Sequence, residues 1–206
     1  AYEIYQCDWS SDVCSSDLRN IGRFTGVLDP SDNLTFTGKA EFSHVKEDGC
    51  FYETKGPADP IVMTHVNACN GFPFTGEKEF DYTKSYNGTI TTDLRLGGGF
   101  SVTSITAYSA FDWSKFTDGD FSEVSFSGAR FKENFHQFSE EVRLLSPTGK
   151  RIEYVAGLYY HKNFSHTTRI SLLNVGTQFG TTTRDYNQDT STVSAFGQVT
   201  LNITDA

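Results

Sequence analysis

A strict alternation of apolar and polar residues over runs of about ten residues is the feature that most constrains the fold. In residues 34–43, Leu34, Phe36 and Phe42 share one side of an extended chain, and threonine and charged residues share the other. A period of two residues is that of a β-strand. Such runs recur at residues 19–28, 34–46, 86–96, 100–114, 134–145, 151–162 and 193–203. The sequence therefore predicts an all-β protein of about seven strands.

Turn signals of two kinds separate these runs. Short segments rich in Gly, Pro, Asp and Asn occupy residues 29–33, 97–99 and 146–150, where tight turns are expected. Longer polar stretches cover roughly 47–80, 115–133 and 163–188, and we expect these to be loops. Because short and long connections alternate, the pattern predicts an antiparallel up-and-down meander with its tight turns on one side.

Composition narrows the class of protein further. The net charge is −9 at pH 7, which argues against a nucleic-acid partner because such a partner needs a basic face. No apolar run approaches the ~18–20 residues that a membrane helix requires, so a helical membrane protein is excluded. A membrane β-barrel remains possible, because its alternating strands are only moderately apolar.

The first eighteen residues differ in character from the rest. Residues 8–18, DWSSDVCSSDL, resemble the translation of a short-read sequencing adapter, and residues 1–4 fit its flanking primer. We therefore treat 1–18 as a non-native segment and base the fold and function on 19–206. Four of the 26 acidic residues and none of the 17 basic ones lie in the segment, so the remainder has a net charge of −5.

One strand shows a shift in its apolar phase. Phe100 and Val102 begin the run at 100–114, but its later apolar residues, including Ile105, Phe111 and Trp113, fall on the opposite parity. An inserted residue would bring both sets to one face. A β-bulge is therefore one explanation of the pattern, and the register of the strand near Ser104 stays open.

Five short motifs resemble those of TonB-dependent outer-membrane receptors. They occur in the order expected for that family and spread over most of residues 24–204. The motifs are LDPSDNLT at 28–35, SITAY at 104–108, FSEEVRLLSP at 138–147, YVAGLYY at 154–160 and AFGQ at 195–198.

The resemblance implies that 19–206 is an incomplete section of a large transmembrane β-barrel in the bacterial outer membrane. Such a receptor captures a scarce small-molecule ligand, such as an iron chelate of the siderophore type, and passes it through a plugged lumen. Its partners are outer-membrane lipid and an inner-membrane energy-coupling protein. Since the plug, the energy-coupling box and a terminal aromatic strand are missing here, we expect a central piece of a receptor, with no cofactor.

The resemblance also suggests site residues in the expected external loops. Cys50 and Cys69 share the first long loop, where an oxidising compartment favours a disulfide; two free or buried thiols are the alternative. The expected ligand contacts are aromatic and histidine side chains of the first and third long loops, which sort ligands by stacking and shape. They are Tyr52, His65, Phe72, Phe74, His161 and His166.

The strand at 134–145 predicts which side chains face the lumen. Ser139, Glu141 and Arg143 share one parity, and we expect them to line the barrel wall with a salt bridge. Glu140 falls on the lipid side, where a charge is costly unless it lies near an interface. No catalytic or metal-binding constellation is present, so an enzyme is not expected. A soluble or cell-surface β-sandwich of the carbohydrate-binding type is the alternative, because periodicity alone does not distinguish the two.

Overall fold

The computed structural model describes residues 18–48, 76–119, 126–175 and 178–203. They form a single seven-stranded sheet in which each strand pairs antiparallel with the next one along the chain. The strands are β1 (Leu18–Ser31), β2 (Leu34–Asp48), β3 (Phe80–Arg95), β4 (Ser101–Asp118), β5 (Ser127–Leu145), β6 (Ile152–Val175) and β7 (Gln178–Leu201).

Tight turns join the strands at one end of the sheet, here called the turn end. Residues 32–33 connect β1 to β2, residues 96–100 connect β3 to β4, and residues 146–151 connect β5 to β6. In the second turn, Gly98 and Gly99 have φ angles of 75° and 84°. These angles lie in the left-handed region that residues with a Cβ rarely adopt, which explains the run of glycines. The opposite end of the sheet is the far end.

The predicted all-β, up-and-down meander of seven strands is confirmed. The described strands form one sheet that does not close on itself, consistent with a partial barrel. The two stacked sheets of a β-sandwich are not seen among these strands. Leu18, the last residue of the presumed non-native segment, is the first residue of β1 and pairs with Lys46. Within the described residues, no helix is long and apolar enough to span a membrane.

The strands are longer at the far end than the alternation predicts. The loop expected at 163–188 is wrong, since β6 continues to Val175 and β7 begins at Gln178. The loops expected at 47–80 and 115–133 are likewise shortened, by the start of β3 at Phe80 and of β5 at Ser127. In these extensions polar residues occupy many positions on both faces, and the apolar ones, such as Ile170 and Leu172, are too few to show the alternation that marks a half-buried strand.

The register of β4, left open by the sequence, contains no bulge. Every residue from Ser101 to Asp118 pairs in continuous register with both β3 and β5. The change in apolar parity therefore means that the apolar side chains of β4 pass from one face of the sheet to the other. Phe100 and Val102 stand at the turn end, and Phe111 and Trp113 emerge on the opposite face toward the far end.

A compact core exists only locally among the described residues. Phe116 and Leu172 are buried near the far end, with Phe80 and Ile170 packed against them. Elsewhere the sheet presents two open faces, and most of its large apolar side chains are exposed. The function therefore has to be sought on the two faces.

Candidate functional site

The two faces of the sheet differ in chemistry. Residues directly opposite each other in an antiparallel pair lie on the same face, so the register assigns every strand residue. On one face, here called the apolar face, exposed apolar side chains dominate the half of the sheet nearest the turn end. Examples are Ile90, Leu158 and Val193, which are 54 %, 62 % and 76 % exposed.

A belt of aromatic side chains marks the limit of this apolar region on the side of the far end. On each of five successive strands one of the aromatic residues of the apolar face stands at this limit. The ring centroids of Phe138 and Tyr160 are 6.4 Å apart. The belt consists of Phe42, Tyr86, Tyr108, Phe138 and Tyr160.

The belt crosses the sheet obliquely. Phe42 pairs directly with Tyr86, and Tyr108 pairs directly with Phe138. The second pair lies two residues closer to the turn end than the first, which is one row of side chains on this face. Tyr160 lies one row lower again. A step of about one residue per strand, with a rise of about 3.4 Å and a strand spacing of about 4.8 Å, corresponds to a strand tilt of about 35°. This is the tilt of outer-membrane barrels.

The extent of the apolar region can be measured along β3. On β3 it runs from Leu94 through Ile90 to Tyr86, about nine residues or 27 Å of strand. At a tilt near 35° this spans about 22 Å, close to the ~25 Å apolar band of membrane barrels. Directly beyond the belt the same face carries polar side chains, among them His44, Lys84 and Asn134. Nearer the far end it becomes apolar again, at the buried cluster of Phe116 and Leu172.

Glu140 lies on the apolar face, as the alternation predicted. It lies two residues from the belt residue Phe138, on the side of the turn end. It is therefore close to the edge of the apolar region at the belt and not at its centre. Its carboxylate accepts hydrogen bonds from the hydroxyls of Ser104 and Thr106 at 2.6 and 2.5 Å. Two donors and a shallow depth both reduce the cost of placing a carboxylate there.

The opposite, polar face gathers four of the predicted site residues. Ser139, Glu141 and Arg143 share this face on β5, and the guanidinium of Arg143 forms an ion pair with Glu141. His161 of β6 lies directly opposite Ser139, and its ring is 6.2 Å from that of Tyr159. The predicted salt bridge is thus present, and one predicted ligand residue lies beside it.

The two histidines expected to contact one ligand do not come together. Both lie inside β6 and not at a loop, and their odd and even positions place them on opposite faces. His161 is on the polar face, whereas His166 is on the apolar face, where its Nδ1 is 2.5 Å from Oδ1 of Asn187. A single ligand on either face can therefore reach only one of them.

A cluster of stacked aromatic rings occupies the polar face toward the far end. Phe111 of β4 stacks on Phe135 of β5 with ring centroids 5.1 Å apart, and Trp113 stacks on Phe131 at 5.9 Å. The four rings are partly exposed. They form a platform across two strands, here called the aromatic cluster.

Charged groups surround the aromatic cluster and fix its rings. The indole Nε1 of Trp113 donates to Asp81 at 2.7 Å, and the ammonium of Lys115 lies 3.2 Å from the same carboxylate. The guanidinium of Arg169 lies 5.4 Å from the centroid of Phe131, a cation–π contact. The cluster thus offers flat apolar area bordered by both signs of charge.

This arrangement is suited to binding by stacking. A partly exposed aromatic platform with fixed polar groups at its rim can hold a planar or ring-shaped ligand and orient it. Among the described residues no group of three His, Cys, Asp or Glu side chains is placed to hold a metal ion. Sequence reasoning missed the cluster, although the parity shift at Ile105, Phe111 and Trp113 was its signal.

The remaining predicted site residues cannot be placed. The cysteines of the expected disulfide, Cys50 and Cys69, lie outside the described residues, as do the expected ligand contacts of the first long loop. Those contacts are Tyr52, His65, Phe72 and Phe74.

Comparison with known proteins adds no assignment. No protein-family model matches the chain, and no curated protein shows significant sequence similarity to it.

Proposed function

We propose that the chain forms part of the wall of an outer-membrane receptor of the TonB-dependent kind. Its apolar face would contact lipid, its polar face would line the lumen, and the aromatic cluster would contact a ligand on its way in. No covalent chemistry is required of the residues involved.

The observation that carries this proposal is the apolar band on one face. A soluble sheet buries its apolar face against a second layer, but the described strands provide no such layer. The band has instead a membrane's height, ends at an oblique aromatic belt and gives way to polar residues beyond it. Lipid is the environment that suits a face with this pattern.

The polar face supports the receptor part of the proposal. The half of this face nearest the turn end carries the Glu141–Arg143 ion pair and hydroxyl-bearing residues, which suit a water-filled lumen or contact with a plug domain. The half nearest the far end carries the aromatic cluster. The cluster lies beyond the level of the belt, which in this placement is the external mouth of the barrel. In the family that the motifs resemble, uptake is driven by an inner-membrane energy-coupling protein, and we extend this role to the present chain.

A binding experiment tests the ligand role of the cluster. The full chain in detergent micelles is titrated with a ferric tris-catecholate complex by calorimetry, with a ferric hydroxamate complex and an oligosaccharide in parallel. Trp113→Ala removes one ring, and we expect affinity to fall roughly fivefold to tenfold, because one stacking contact contributes about 1 kcal/mol. Tyr186→Ala, which removes an exposed ring of the same face on β7, is the matched control.

The outcomes are distinct. Loss of affinity in the Trp113 variant alone supports the ligand role, whereas equal affinity in both variants contradicts it. The carbohydrate-binding alternative is favoured by one observation, namely that stacked rings beside the Asp81 carboxylate also suit a sugar. Binding of the oligosaccharide and of neither iron complex would favour that alternative.

A further inference from the structure

We propose that the apolar face carries a binding site for a lipid with an anionic phosphate headgroup, just beyond the aromatic belt. The inference rests on the proposed membrane placement of this face. It concerns a surface that ligand uptake does not use.

Lysines collect on the apolar face at the level where a lipid headgroup would lie. Rows are here sets of residues that pair directly across the strands of one face. Lys84 of β3 lies one row beyond the belt residue Tyr86, toward the far end. Lys46 of β2 and Lys132 of β5 lie one row beyond Lys84. On β6, Lys162 lies one row beyond the belt residue Tyr160, toward the far end. Each lysine therefore lies between one and three rows beyond the belt residue of its own strand, toward the far end.

Four basic residues of the polar face are paired with carboxylates of the described residues, whereas these lysines are not. On the polar face Arg19, Arg23, Lys115 and Arg143 each form an ion pair with a carboxylate. Within the described ranges, none of the four lysines beyond the belt is within ion-pair distance of one. Lys46 makes a cation–π contact instead, with its ammonium 5.7 Å from the ring centroid of Tyr82. Such cations are available to an external anion.

A groove of about 430 Å³ lies among three of these lysines. Lys46, Lys84 and Lys132 line it together with His44 and Asp112. Asp112 accepts a hydrogen bond from the amide of Asn134, which already satisfies part of its capacity. The groove therefore holds three cations against one carboxylate.

His44 adds a second polar feature of the groove. Its Nε2 is buried, and no described residue forms a hydrogen bond with it. Buried ring nitrogens are normally paired, so this one is suited to a headgroup oxygen.

The surface below the groove suits acyl chains. An apolar groove of about 580 Å³ adjoins it across the belt, and Phe24, Phe42, Tyr86 and Tyr108 are among its lining residues. A lipid whose chains lie on this surface places its phosphate at the level of the lysines. The combination of adjoining apolar and basic surfaces selects a phosphate-bearing lipid over a free anion, and each lysine near an anionic headgroup strengthens association several-fold.

Vesicle flotation tests the proposal. The full chain is partitioned onto phosphatidylcholine vesicles with and without phosphatidic acid, and the ratio of the two partition coefficients is measured. We expect the unmodified chain to prefer the vesicles with phosphatidic acid. The variant Lys46→Gln/Lys84→Gln/Lys132→Gln should lose most of this preference, by roughly 100-fold at low ionic strength.

Two further variants serve as controls. Lys39→Gln/Lys78→Gln/Lys150→Gln removes the same charge from exposed positions outside the groove and should keep the preference. The arginine variant, with Lys46, Lys84 and Lys132 each changed to Arg, keeps the charge and should keep it as well. Circular dichroism checks that the glutamine variant keeps its strand content. If it does not, the proposal is tested by the arginine variant and by competition with inorganic phosphate.

The overturning results are specific. Equal losses in the two glutamine variants would show a net-charge effect, and a loss in the arginine variant would show that charge is not the cause. Abolition of the preference by inorganic phosphate would assign the groove to the free anion. Failure of the unmodified chain to bind phosphatidylcholine would instead contradict the proposed membrane placement, whatever its preference among lipids.

Discussion

The membrane placement can be decided at one position, Ile90, by its change to arginine. Ile90 lies on the apolar face of β3, four residues from Leu94 and four from the belt residue Tyr86. It is 54 % exposed, and its direct neighbours across the sheet are Gly38 and Thr106. The small neighbours leave room for a larger side chain, so an arginine there tests the surrounding medium and not the packing.

The expected size of the effect follows from depth. At a tilt near 35°, Ile90 lies about 11 Å below Tyr86 and about 11 Å above Leu94, which is the centre of the band. An arginine at the middle of a bilayer costs a barrel about 2–4 kcal/mol, and near an interface about 0–1 kcal/mol. In water, an arginine on an exposed strand face changes stability by only about 0.5 kcal/mol.

The assay is urea unfolding of the chain in phosphatidylcholine vesicles, followed by tryptophan fluorescence. Thr91→Arg is the matched control, because Thr91 is the next residue of β3 and lies on the polar face. Ser114→Arg gives the depth control, because Ser114 lies on the apolar face beyond the belt. Ile90→Arg should cost several-fold more free energy of unfolding than either. Equal, small costs at all three positions would refute the lipid contact of this face.

Two smaller predictions concern single contacts. In Gly157→Ala the new Cβ would lie 2.4 Å from Cζ of Phe196, so the ring must move and the free energy of unfolding should fall by about 1–2 kcal/mol; Gly180→Ala, with open space around it, should not show this fall in the same urea titration. The hydrogen bond from Tyr82 to Asp48 raises the pKa of the phenol above 10.0. Its stabilising effect is therefore present below about pH 10 and lost as the pH rises through the raised pKa. Asp48→Asn should shift the phenolate absorbance of one tyrosine to lower pH, and an unchanged titration curve would contradict this reasoning.

The sequence predicted the strands where apolar residues alternate regularly and failed at the far end, where they are sparse. The runs at 34–46 and 193–203 were both predicted as strands, because period two is visible there, and they fall in β2 and β7. Residues 163–175 and 178–188 were expected to be loop, although Thr181, Thr182 and Thr183 have high strand propensity. Burial in these extensions is confined to the cluster around Leu172, and the rest is held by cross-strand pairing, which leaves no periodic trace in a single sequence.

The aromatic cluster could not be predicted for a related reason. The parity shift in β4 was visible, but a bulge and a change of face produce the same pattern of letters. Phe131 and Phe135, which complete the cluster from β5, lie in or beside a segment expected to be loop. Only the register of β4 with β5 brings the four rings together.

The odd number of strands has a consequence for how this wall can be completed. Since each strand runs opposite to its neighbour, β1 and β7 point in the same direction. A direct seam between these two edges would be a parallel ladder, which an all-antiparallel barrel does not contain. Any such barrel that includes this sheet therefore needs an odd number of additional strands, and both seams will pair with strands that run antiparallel to β1 and β7.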